Sequence, residues 1–142
     1  MFSKEESRQL REEFWTSFGK SFPRKWILYD TKIKGFSFKF DFDVKKALVT
    51  LDLEDDLEKR IKNWEKLQSL KSILTDDYLP EVIFEEEYVL ENGKEISRIY
   101  VPLEQKVSIH NKNTWRDVMV FFNITMNAFE LFFEEYRDIL ED

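Results

Sequence analysis

The sequence predicts an α+β fold. One antiparallel sheet of about five strands carries three helices packed mainly on one face, in the order helix, three strands, helix, two strands, helix. Three observations lead there. Phe36, Phe38, Phe40 and Phe42 occupy alternate positions, the period of a strand with one buried face. Val49, Leu51 and Leu53 repeat that alternation after Asp43-Val44-Lys45, so Gly35 to Glu54 forms a hairpin. Asn92-Gly93 then sits between two further β-prone runs, the pattern of a two-residue hairpin turn.

Each element has its own signal. Ser3 and Glu6 make a capping box, and Leu10, Phe14 and Phe18 lie four apart, so a helix runs from there to about Lys20, ahead of Pro23. Trp26 to Asp30 is short and apolar and reads as a first strand. In the hairpin, Ser37, Lys39 and Asp41, with Thr50 and Asp52, fall on the wet side. Asp55 or Asp56 caps a second helix, in which Leu57, Ile61, Trp64, Leu67, Leu70 and Leu74 trace the apolar stripe and the Lys- and Glu-rich faces read as solvated surface.

Val82 to Leu90 and Lys94 to Leu103 form the second hairpin. A two-residue turn pairs Glu91 with Lys94, Glu87 with Arg98 and Phe84 with Val101. Val107-Ser108-Ile109 extends the sheet briefly. Asn113 or Thr114 caps the last helix, with Asp117 completing a box, and the helix runs to about Leu140. Ile124 and Leu131 fall off its main stripe and mark a second contact, with a partner chain.

At 142 residues the chain is the length of one domain, 1–142, with 14 Phe for an aromatic core. Without cysteine there is no disulfide, thiol catalysis or thiolate metal site, and a single His makes a histidine-based metal site implausible. The charged N-terminus is not a signal peptide and no run is long enough to span a membrane, so the expected location is cytoplasmic. The net charge of −7 disfavours general polyanion binding. The charge is uneven, however: Lys20 to Lys46 holds eight basic residues against three aspartates.

With three isolated glycines, no phosphate-binding loop can be built. Asp30 with Asp43 and Lys45 superficially offers the acids and lysine of a metal-dependent nuclease, but Asp43 and Lys45 are turn residues. His110 lies in a strand-to-helix loop without a positioned acid, and capping explains its polar neighbours. The basic residues Arg24, Lys25, Lys32, Lys34 and Lys39 are the candidate nucleic-acid contacts. The four Phe are core and unavailable for stacking, which leaves Trp26 and Tyr29.

Glu13-Phe14-Trp15, Lys34-Gly35-Phe36, Leu51 to Asp56, Lys66 to Lys71 and the Trp115 to Tyr136 helix together resemble the bacterial family named domain of unknown function 4268, over nearly the full chain. The resemblance implies a fold rather than an activity and supplies no catalytic residues. Larger relatives carry this domain behind a restriction-endonuclease-like domain, which implies an accessory role near nucleic acid.

The expected function is a non-enzymatic interaction or accessory module without cofactor or metal, which binds a protein partner or itself and no membrane. The alternative is a nucleic-acid-binding accessory domain. A metal-dependent nuclease is the third reading.

Overall fold

A computed structural model describes all 142 residues. The elements are α1 (Lys4–Ser21), β1 (Phe36–Phe42), β2 (Ala47–Leu53), α2 (Leu57–Ser69), α3 (Lys71–Asp77), β3 (Ile83–Val89), β4 (Glu95–Pro102), α4 (Trp115–Glu135) and α5 (Arg137–Glu141). The α+β class holds, with four strands in the order β1-β2-β4-β3 and every neighbouring pair antiparallel. No helix is long and apolar enough to cross a membrane.

The alternating Phe of β1 meet the long helix. Phe38 packs against Phe129 and Phe133 with ring centroids 5.7 and 5.6 Å apart, and Phe14 of α1 packs edge-on to Phe42 at 4.7 Å. Trp64 of α2 meets Phe84 of β3 on the same side of the sheet. Apart from the half-buried Phe84, which packs against it, these residues belong to one cluster of 27 buried residues. Rings set edge to face at such distances add to the area that they bury.

Trp26 to Asp30 is not a strand. Leu28 has φ 45° and Lys32 φ 66°, and left-handed residues cannot continue an extended chain. The segment instead straps the edge of β1. Leu28 O accepts from Phe38 N at 3.0 Å, and the buried Glu130 of α4 accepts from Ile27 N at 2.6 Å and from Arg24. The strap occupies an edge that would otherwise present unpaired backbone. Val107 to Ile109 is not a strand either; both apolar residues are buried as a plug, held by Ile109 N donating to Asp43 O at 3.0 Å.

The helices number five rather than three because two of the long ones break. At Ser69 the hydroxyl donates to Lys66 O at 2.6 Å and Leu70 N turns to Leu67 O, tightening the end of α2 before α3 begins. The second break follows Glu134-Glu135, where α4 ends without a basic residue in its last turn and negative charge opposes the helix dipole. Asp56 caps α2, and the capping box at Ser3 and Glu6 is formed. The cap expected at Asn113 or Thr114 moves to Asn111, whose Oδ1 accepts from Asn113 N at 3.1 Å and starts a 3-10 turn, Lys112–Thr114, ahead of α4. Asp117 accepts instead from Gln105 at 2.9 Å.

The second hairpin is out of the expected register. Leu90 N donates to Lys94 O and Gly93 N to Leu90 O, which closes a three-residue loop with Gly93 at φ 86°. A bulge between Glu85 and Tyr88 then shifts the ladder again, and Ser97 Oγ donates to the freed Glu86 O at 2.7 Å. Phe84 therefore pairs with Ile99 rather than Val101, and Arg98 with Glu85 rather than Glu87.

Candidate functional site

The sheet face away from the helices was expected to be wet, yet Thr50 and Asp52 are wholly buried there and Arg98 nearly so. Register explains it. Asp52 and Arg98 are direct neighbours across β2 and β4, and the guanidinium binds the carboxylate through two bonds of 2.8 and 2.9 Å. The Tyr88 ring caps the guanidinium at 4.5 Å. Lys39 reaches in from β1, its Nζ 2.9 Å from Glu54 and 3.4 Å from Asp52, and Lys94 bonds the other Glu54 oxygen at 3.1 Å.

Burial alone would raise Glu54 and lower Lys39, but their mutual bond and the added charges prevail, leaving Glu54 below and Lys39 above its ordinary value. Asp41 differs: burial, which Arg98 only partly offsets, pushes its carboxyl up. Asp41 and Arg98 line a cleft of about 500 Å³ between Asp43 and Lys46 of the first turn and Tyr88 to Asn92 of the second hairpin. Apart from Asp41, the charges of this face satisfy one another.

A second concavity is differently made. Lys34, just ahead of β1, faces Lys59, Lys62 and Lys66 of α2 across a groove of about 240 Å³. Positions 59, 62, 63 and 66 share one helical stripe, so Asn63 lies among the lysines while Glu58 and Glu65 fall to one side. Lys66 is fixed by donating to Leu140 O at 3.3 Å and to Asp142 O. Lys34, Lys59 and Lys62 belong to no ion pair in the structure. The acids of the groove are Asp55, Glu141 and Asp142; Glu141 is paired with Arg137 at 3.1 Å. Gly35, at φ 72°, lets the chain turn from Lys34 into β1 against Glu54 O and Asp55.

The five basic residues singled out from sequence take different partners. Arg24 stacks on Trp26 at 4.1 Å and pairs with Glu130, Lys32 pairs with Asp30 at 2.6 Å, and Lys39 belongs to the polar sheet face. Lys25 is exposed, and Lys34 alone enters the groove. The α2 lysines were missed because a Lys-rich helix face reads as solvated; the available signal was the 59, 62, 66 spacing on a stripe free of glutamate.

The nuclease residues are also apart. Asp30 lies in the strap that bonds along β1, and Asp43 lies in the turn beyond the far end of that strand. No three acidic or histidine side chains are grouped to hold a metal ion. Asp43 Oδ1 accepts from Lys45 N and Lys46 N and so shapes its turn. His110 Nε2 bonds Ser7 Oγ at 2.8 Å and its ring stacks on Phe2, joining the start of α1 to the loop before α4.

No curated protein and no solved structure matches the chain. The family model described as domain of unknown function (DUF4268) matches residues 10–137, and the chain belongs to that family.

Proposed function

We propose that the chain is a binding module that engages the phosphate backbone of a nucleic acid through Lys34, Lys59, Lys62 and Lys66. The observation that carries this is the gathering of four lysines from two distant elements around one groove, three of them in no ion pair. Against a net charge of −7 the positive site is local, so it selects a segment of a polyanion rather than attracting one over the whole surface. Lysines act as point charges on phosphate. The apolar lining is Ile33 and Leu140, with no ring for a base to stack on, which favours backbone contact without sequence preference. The bound phosphates displace Asp142 from Lys66.

Fluorescence anisotropy with labelled single- and double-stranded DNA and RNA tests this. Binding at low salt should weaken with a log–log slope of about −3 if four phosphates are neutralised. Lys59→Glu/Lys62→Glu should abolish binding, and Lys25→Gln should leave it unchanged. No binding to any of the four at low salt refutes the reading.

A second reading, self-association, is favoured by the outer stripe of α4. Val120, Ile124 and Leu131 are 37%, 61% and 57% exposed and lie within about 40° of one another around the helix. Arg116 and Glu134 flank the two ends of that stripe on the same side. Antiparallel two-fold pairing of α4 with a second copy sets each Arg116 against Glu134 of the other.

A further inference from the structure

At the end of the first hairpin remote from the lysine groove lies a separate cleft of about 540 Å³, within the usual range for small-molecule sites. Val44 and Lys45 of the turn form one wall. Lys106 and Val107, in the segment after β4, form another, and Asn111 closes the end beside α4. The frame is pinned. Asp43 holds the turn amides of Lys45 and Lys46, Ile109 N donates to Asp43 O, and Thr114 Oγ1 donates to Asn111 O at 2.7 Å.

The chemistry of the lining is selective. Lys45 and Lys106 belong to no ion pair, and no carboxylate lines the cleft, unlike the lysine groove and the sheet-face cleft. Asn111 uses its Oδ1 for the Asn113 amide, which leaves its NH2 as a further donor. Between these donors lie Ser108, Thr114 and two valines: Val107 is buried in the floor, and Val44 stands 47% exposed at a turn, where polar residues are the rule. A half-open cleft of this size suits a small molecule.

We infer that this cleft binds a small organic anion, a phosphate ester or carboxylate with an apolar body. Lys45, Lys106 and the Asn111 amide hold the charged group, and the exposed Val44 meets the apolar part above the buried Val107. The inference is independent of nucleic-acid binding in the lysine groove.

The test is a titration of the full chain with phenyl phosphate, benzoate and inorganic phosphate, followed by amide shifts and calorimetry. Saturable shifts at Lys45, Lys106, Ser108 and Asn111 with phenyl phosphate or benzoate support it, and the tighter of the two names the charged group. Inorganic phosphate should bind more weakly because it has no apolar part. Both lysines are exposed, so Lys45→Gln/Lys106→Gln should fold and should weaken binding at least about ten-fold. The Lys59→Glu/Lys62→Glu chain should bind as the unaltered one does. The inference is overturned by inorganic phosphate binding as tightly as phenyl phosphate, by an unchanged affinity in the glutamine variant, or by no saturable shift up to about 10 mM.

Discussion

Asp52 and Arg98 leave water together on the helix-free sheet face, and their value depends on each other's presence. Burying two charges costs several kcal/mol per ion, which the bidentate geometry and the Tyr88 ring offset. Removing Arg98 leaves the buried Asp52 with only Lys39, 3.4 Å away, and removing Asp52 leaves Arg98 buried without its carboxylate. Arg98→Met should therefore destabilise the chain by about 3–5 kcal/mol in urea unfolding, whereas Asp52→Leu/Arg98→Met should recover most of that loss. Asp41, a few residues away, makes the opposite contribution. Its carboxyl is raised in the folded chain, so stability falls as pH rises through the interval between its ordinary and its raised value. Glu54 is lowered, and its contribution is full above the ordinary carboxylate range and lost as pH falls through its lowered value. Asp41→Asn should raise stability at neutral pH by less than about 1 kcal/mol after solvent screening, and should make no difference at acid pH where Asp41 is protonated. Urea midpoints measured at both pH values check the sign.

The strap and the first hairpin meet at Gly35, where element geometry depends on the lack of a side chain. A Cβ there would lie 2.6 Å from the backbone O of Glu54, whose N–H donates to Gly35 O at 2.8 Å and closes the hairpin, and φ is 72°. Gly35→Ala should cost about 2 kcal/mol or more in thermal or urea unfolding. Gly93 has a similar φ but open space around it, so alanine there should cost less. These positions also mark what could be read in advance. The alternating Phe of β1 and the apolar stripe of α4 were legible because burial sets their period. The strap was not, since Trp26 to Asp30 is apolar enough for a strand and only the left-handed turns at Leu28 and Lys32, set by Glu130 and Arg137 from the far end of the chain, divert it. The Arg98 partner was missed for a related reason: the ladder is offset by a three-residue loop and a bulge that no local rule foretold. The lysine groove was half legible, with Lys34 named and its three companions hidden on a helix face that looked merely solvated.

For the whole molecule, the proposed self-association has to bring together two copies of a chain this acidic and this aromatic. Most of its large apolar side chains are inside the common core, but the outer stripe of α4 is not, and a long helix with a second apolar stripe is what an interface requires. Self-repulsion from a net charge of −7 on each copy opposes random pairing. In the antiparallel register each Arg116 faces Glu134 of the other copy, a carboxylate that Arg137 of its own chain holds at 2.7 Å, so the contact would extend an existing ion pair. Sedimentation equilibrium should give a dimer whose dissociation constant rises at least about ten-fold with Ile124→Glu or Leu131→Glu, both exposed enough to leave the monomer fold intact. Arg116→Glu should weaken the dimer and Arg116→Glu/Glu134→Arg should restore it, a reversal that general stickiness of the stripe would not produce. A monomer at every concentration, or an interface indifferent to the charge swap, would remove the antiparallel arrangement.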